Sequence, residues 1–216
     1  MFSKSIGRFV STRTASTTFQ SRTIKMSSSI PSSVTALVIN DNKVRVAKHA
    51  APKIRDSYVL AQVDCIALNP TDWKHISRKI AAPNGISGCD FSGTVVEVGP
   101  GVSKSLKAGD RIAATTHGAN FTHDDDGCFA EYAVAKGDLV VKIPDSLSFE
   151  QAATFPLGVA TVGQGLYQKA LKLKLPTEPT TGQEWVLIYV SHALSTARTT
   201  ERTNCGYRAA HPRPAL

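Results

Sequence analysis

Between Val34 and Pro144 the chain returns again and again to short β-type runs, one roughly every ten residues, and that rhythm limits the fold more than any other feature. VTALVIN (34–40) is apolar and β-branched, Asp41-Asn42 is a turn, and KVRVAKH (43–49) follows as a second strand. SYVLAQVDCIAL (57–68) is a long alternating run. FSGTVVEVGPG (91–101) ends in a Gly-Pro-Gly turn, and GDRIAAT (109–115) and FAEYAVAKGDLVVKIP (129–144) supply further strands. Many short strands at even spacing predict a closed β-barrel or a sandwich.

The pattern changes near Pro144. SLSFEQAATF (146–155) predicts a helix with Ser146 and Ser148 as candidate N-caps and Glu150 and Gln151 in its first turn. LGVATVGQGLYQKALKL (157–173) predicts a second helix, weakened by Gly158, Gly163 and Gly165. After a Pro/Thr-rich connection, EWVLIYV (184–190) is a continuous apolar run, the pattern of a strand buried on both faces of a parallel sheet. A β domain followed by helices and such a strand predicts the start of an α/β domain.

A strand that opens a dinucleotide-binding unit runs into a glycine-rich turn, where the backbone approaches a pyrophosphate at a helix N-terminus. Here it runs into VSHALSTARTTERTNCGYRAAHPRPAL, whose only glycine is Gly206. Four of the eleven arginines fall in residues 198–216, and no lysine follows Lys174. Residues 191–216 therefore have the composition of an aberrant tail, as from a frameshift or retained intron, and the sequence predicts an α/β domain that begins and is not completed. The other reading is a genuine alternative C-terminus that is disordered or folds back over the strand.

The net charge of +8 does not mark a nucleic-acid binder, because it is unevenly placed. Residues 1–26 carry five basic side chains and no acid, residues 190–216 carry four arginines and Glu201, and the stretch between them is neutral. No run of about 18 apolar residues exists, so no membrane partner is expected. Of four cysteines, Cys65, Cys89, Cys128 and Cys205, no two have CxxC spacing, which argues for free thiols. Residues 1–26 put Phe2, Ile6, Phe9 and Val10 on one helical face among Ser, Thr and Arg, as in a mitochondrial presequence. A disordered extension, or translation starting at Met26, is the alternative, so the expected location is cytoplasmic or mitochondrial. SSSIPSS (27–33) is a linker.

The stretches ALNPTDWKH (67–75), GCDFSGTVVEVGPGV (88–102), KAGDRI (107–112), GCFAEYAV (127–134), IPDSLSFEQAATFPLGVATV (143–162) and GQEWVLIY (182–189) together resemble the medium-chain dehydrogenase/reductase superfamily. The likeness covers about residues 34–189 and is nearest to fungal trans-enoyl reductases that act beside polyketide synthases, then to zeta-crystallin-type quinone reductases. It implies a GroES-like barrel over 34–145, preceded by the extension 1–33, with the start of a Rossmann domain over 146–190. Zinc-dependent members carry a Cys in the segment matching LNPTD and a His-Glu pair in the segment matching GCD. This chain has Asn69, then Cys89 and Asp90, as in the zinc-free branch, so no metal is expected. HGANFTHDDDG (117–127), with two histidines and three aspartates, is read as a solvated loop, since it has no rigid ligand spacing.

The resemblance implies NADPH-dependent reduction of an activated double bond in an enoyl thioester, quinone or enone, the thioester free or held on a polyketide synthase. It implies that Asn69, Thr71, Asp72, Trp73 and Lys74 contact NADPH from the barrel side, with Lys74 also catalytic. It implies that Phe155, Pro156, Leu157, Gly158, Val159, Ala160, Thr161 and Val162 line the substrate cleft. Small residues such as Gly158 and Ala160 would leave room for a chain there, or would serve helix–helix packing. Asp90 is expected to shape the floor. Without the glycine-rich turn the 216-residue chain is expected not to bind NADPH measurably. The competing expectation is a non-catalytic product that meets other chains through the exposed strand 184–190.

Overall fold

The computed structural model describes residues 30–41, 43–169, 171–175 and 177–178, and the backbone of strands 184–188, 198–203 and 206–210. The presequence-like segment, the Met26 start, Cys205 and tail residues 191–197 and 211–216 lie outside the described residues. No helix among the described residues is long and apolar enough to cross a membrane.

The chain opens with strands β1 (Ser33–Asn40) and β2 (Lys43–Ala50), an antiparallel hairpin turned at Asp41, whose φ of 48° is the left-handed region that Asp tolerates. β3 (Tyr58–Ala67), helix α1 (Pro70–Ser77), β4 (Asp90–Val98), β5 (Arg111–Thr115), β6 (Tyr132–Lys136) and β7 (Val141–Lys142) follow. Five of these strands form one antiparallel sheet in the order β6-β3-β4-β5-β7. β1 is stitched across its open side. Leu37 N–H donates to the Phe129 carbonyl at 2.7 Å, and Ser87 N–H donates to the Leu37 carbonyl at 3.0 Å. The rhythm of the sequence thus becomes a curled β domain.

The alternation of β3 explains its central place. Val59 and Ala61 face the main core with Phe91, Val95 and Ile112, while Leu60 faces a second cluster of Val34, Tyr132 and Val134. A strand buried on both faces must be apolar at successive positions, and Val59-Leu60-Ala61 is.

The loop 117–127 differs from its sequence reading. Phe121 to Asp124 are exposed, but Asp126 is buried, and all three aspartates engage the segment 49–55. Asp124 Oδ2 lies 3.9 Å from His49 Nε2, Asp125 accepts from Lys53 N–H at 3.1 Å, and Asp126 pairs with the Arg55 guanidinium. Asn120 Nδ2 donates to the second Asp126 oxygen at 2.9 Å. The acidic run clasps a basic strap rather than facing water throughout.

Beyond the sheet the helices are shorter than their sequence pattern predicts. α2 spans Phe149–Ala152, with Ser148 as its N-cap: Gln151 N–H donates to Ser148 Oγ, and Ser148 N–H donates back to Gln151 Oε1 at 3.2 Å. α3 spans Pro156–Gly163 and loosens into a π-turn over Gln164–Lys169, where Gly163 and Gly165 remove side-chain support. Both helices dock on the barrel. Ser92 Oγ donates to the Phe149 carbonyl at 2.7 Å, Arg111 donates to the Leu147 carbonyl at 2.8 Å, and Phe149 and Phe155 pack against Ala113 and Ile143.

The apolar run does form a strand, β8 (Glu184–Ile188), but not in a parallel sheet. It pairs antiparallel with β9 (Arg198–Thr203), which pairs antiparallel with β10 (Gly206–Ala210). Two further strands therefore follow, and residues 198–203 fold back against the strand 184–188, as in the alternative reading of the C-terminus. A parallel neighbour needs a crossover of a dozen or more residues, whereas β9 begins at Arg198, only ten positions after β8 ends at Ile188, and pairs with it antiparallel. Thr199, Thr200 and Thr203 give β9 the β-branched content for this.

Candidate active site

The segment Asn69-Pro70-Thr71-Asp72 is first of all a helix start. Asn69 is extended, at φ −124° and ψ 152°, Pro70 occupies the first helical position, and Asp72 Oδ2 accepts the Asn69 backbone N–H at 2.7 Å. The Asn69 side-chain amide has a separate partner: its Nδ2 donates to Asp90 Oδ2 at 2.9 Å.

Asp90 opens β4 behind Gly88-Cys89 and is 1% exposed. Gly88 has φ +99°, and a Cβ there would run into the Phe129 ring, so the turn into β4 requires glycine. The second Asp90 oxygen, Oδ1, accepts the Leu157 backbone N–H at 2.8 Å, in the first turn of α3. Burial pushes the Asp90 carboxyl upward, and the Asn69 and Leu157 donors pull it back down.

α1 and α3 enclose a cavity of about 600 Å³. Asn69, Thr71 and Lys74 line it from α1, and Leu157, Gly158, Thr161 and Val162 from α3. The two sets of expected site residues, more than eighty positions apart, are thus brought together at this cleft. Ala160 lines an adjoining cavity with Thr71, His75, Cys89 and His117. Phe155 and Val159 line an apolar groove of about 410 Å³ on the outer side of α3, which reaches the cleft at Gly158 and Val162. The remaining expected residues stand apart from the cleft. Pro156 and Asp72 are buried, and Trp73 is 58% exposed, with Lys74 Nζ 5.8 Å from its ring centroid.

Cationic side chains and thiols set the electrostatics. Lys74 on α1 and Arg78 at its C-cap lie about one turn apart and both line the cleft. The Cys89 thiol is pushed up to about 12, first by burial and then by the Asp72 carboxylate, so it is protonated at neutral pH. Cys128 is raised for the same reason, burial, and its Sγ donates to the Asp90 carbonyl at 3.3 Å. Thr161 Oγ1 donates to the Leu157 carbonyl at 2.7 Å, which leaves its oxygen free only as an acceptor.

Residues 55–145 match the alcohol dehydrogenase GroES-like domain. The trans-enoyl reductase TOXD of Cochliobolus carbonum is 49% identical over 144 residues, which are 67% of this chain and 48% of that protein. The chain belongs to the medium-chain dehydrogenase/reductase superfamily. A second member of this oxidoreductase family, the trans-enoyl reductase resD of Aspergillus sclerotiorum, is 51% identical over 126 residues, 58% of this chain and 35% of that one. Among solved structures, the quinone oxidoreductase from Coxiella burnetii superposes with a TM-score of 0.53 at 28% identity, covering 63% of this chain and 45% of that one. The chain spans about half the length, or less, of the curated relatives it matches.

In this superfamily member the cleft holds residues that motif reading passed over. His75 lines it, with Nδ1 donating to the Thr71 carbonyl at 2.8 Å, so that nitrogen carries a proton. The His117 ring stands 6.3 Å from His75, edge on. Arg78 and Ile80 complete the α1 side. The Thr71/His75 and Lys74/Arg78 spacings of four were the signal for the helical pair; His117 opens the 117–127 loop that the sequence reading gave to solvent.

Proposed function

We propose that the chain carries the barrel-side half of an active site that reduces the activated C=C bond of an α,β-unsaturated thioester or ketone, with NADPH and without zinc. The observation that carries this is the cleft itself, where Asn69, Thr71 and Lys74 meet Leu157, Gly158, Thr161 and Val162. The relatives named trans-enoyl reductase support the reaction class, and the likeness to a quinone oxidoreductase supports the kind of acceptor.

When bound, NADPH supplies the hydride. Lys74 and Arg78 offer two cations for its phosphates or for the negative charge that develops on the substrate carbonyl oxygen. A donor aimed at that oxygen lowers the barrier because charge grows there only in the transition state. The apolar side of α3, with Phe155, Val159 and Val162, offers the substrate chain an apolar wall. The donor set supports a zinc-free reaction. Both Asp90 oxygens are taken by Asn69 and Leu157 and the Asn69 amide is committed to Asp90, so Cys89 is left without the further protein ligands that a catalytic zinc site requires.

A second reading is favoured by the sheet β10-β9-β8. β8 is its edge among the described residues, and no glycine-rich turn follows that strand in the sequence. In this reading the 216-residue chain is not catalytic and meets other chains through the β8 edge. Two measurements separate the readings. Fluorescence titration of the chain with NADPH is expected to show no saturable binding, and a micromolar dissociation constant would remove the second reading. A fusion of residues 31–190 to the C-terminal half of TOXD is expected to oxidise NADPH with a crotonyl thioester. Lys74→Met in that fusion should lower the rate by roughly 100-fold, the scale of losing one charge-stabilising donor. An inactive, folded fusion, or an unaffected variant, would sink the reductase reading.

A further inference from the structure

Both walls of the cleft hang on one carboxylate. Asp90 Oδ2 takes the Asn69 side-chain amide at the start of α1, and Oδ1 takes the Leu157 N–H at the start of α3. Both donors are there for structural reasons. Asn69 is the N-cap of α1, and from there its side-chain amide reaches Asp90. Pro156 has no N–H, so Leu157 carries the first free donor of α3. Asp90 does not line the cleft between the helices, yet residues on either side of each contact do.

We propose that Asp90 is a positioning residue that sets the Lys74 wall of the cleft against the Leu157 wall, acting through Asn69 and Leu157. Its effect on the arrangement of α1 and α3 is independent of the reaction; its effect on turnover rests on the reductase reading above. The chemistry makes a sharp demand on the site. The position-90 side chain must accept two hydrogen bonds, from an amide NH₂ and from a backbone N–H. Asparagine at position 90 offers one oxygen and one NH₂, so in Asp90→Asn one of the two contacts becomes donor against donor. Asn69→Asp alone sets two carboxylates against each other in a buried place. The double exchange, Asn69→Asp with Asp90→Asn, restores the match: the new amide donates to the new carboxylate and keeps its oxygen for Leu157 N–H.

The test compares four proteins, wild type, D90N, N69D and the double exchange, by hydrogen exchange at the Leu157 amide. D90N and N69D are expected to speed that exchange roughly tenfold to hundredfold, the scale of a lost hydrogen bond to a charged group. The double exchange is expected to return it to within about threefold of wild type, as coupled sites require. Where a single variant fails to fold, folding of the double exchange reports the same rescue. Unchanged exchange in D90N, or a double exchange no better than its parents, overturns the proposal. NADPH turnover with a crotonyl thioester is read on the same four versions of the TOXD fusion. A fall in kcat in D90N with KM unchanged, recovered in the double exchange, supports positioning of the reacting groups. Absence of turnover in all four fusions, with the exchange pattern intact, counts against the reductase reading and leaves the Asp90 joint supported.

Discussion

The side-chain amide of Asn69 donates to the Asp90 carboxylate at 2.9 Å, across 21 positions of sequence. Because Asp90 is 1% exposed, the contact has no water to replace it. Asn69→Ala should leave one carboxylate oxygen buried without that donor and cost about 1–3 kcal/mol. It should also push the Asp90 carboxyl further upward, since a hydrogen bond that now lowers it is removed. Urea unfolding at neutral pH checks the first effect, and a loss below about 0.5 kcal/mol, the scale of a surface change, would show that the bond is not needed.

The cysteines separate by burial. Cys89 and Cys128 are buried and their thiols are pushed upward by it, Cys89 to about 12, whereas Cys65 is half-buried. The thiolate is the reactive form, so a buried thiol with such a value reacts slowly even at mildly alkaline pH. With folded protein and iodoacetamide at pH 8, Cys65 should be modified first among these three, and Cys89 and Cys128 only after denaturant is added. Peptide mass spectrometry reads the order, and early labelling of Cys89 would contradict the burial described for it.

What was legible in the sequence follows from where the signal was local. Val59-Leu60-Ala61 and the Gly-Pro-Gly turn at 99–101 announce strands and a stop through period and turn chemistry, and those elements formed. The helix over 157–173 was overestimated because an apolar pattern does not record how three glycines lower its persistence. β9 was invisible because RTTERT has strand content in its threonines but no apolar alternation. At the site, the family motif marks Asn69 and Lys74, but Asp90 reaches Leu157 across 67 positions, and no local pattern encodes such a pairing. The clasp of Asp124, Asp125 and Asp126 onto residues 49–55 was hidden for the same reason, since a run of aspartates reads as solvent-facing until its basic partner is placed.

Asp110 ties the β4–β5 turn to β7. Its carboxyl lies below the usual carboxylate range, through the hydrogen bond from Lys142 at 2.8 Å and then that from Lys107 N–H at 2.9 Å. A carboxylate whose folded value is lowered favours folding above its unfolded value, near 3.9, and loses that contribution as pH falls through the lower folded value. Stability should therefore decline in acid over that window, and Lys142→Met should make the decline shallower. Thermal unfolding of both proteins between pH 2 and pH 6 tests this, and parallel curves would remove Lys142 as a cause.

Gly158 lies on the cleft and on the apolar groove of α3, and a Cβ added there meets nothing within 4 Å. Close helix packing among the described residues therefore does not require glycine at this position. Gly158→Ala should stabilise α3 by up to about 1 kcal/mol, because alanine restricts the unfolded chain and favours the helix. If the groove takes a substrate chain, Gly158→Phe should fold as well as Gly158→Ala yet bind long-chain enoyl thioesters more weakly, with short-chain ones little changed. Thermal unfolding measures the first effect, and calorimetric titration with crotonyl and longer thioesters the second. A destabilised Gly158→Ala would mean that α3 packs on something that needs the space, and equal weakening for every chain length would place the substrate elsewhere.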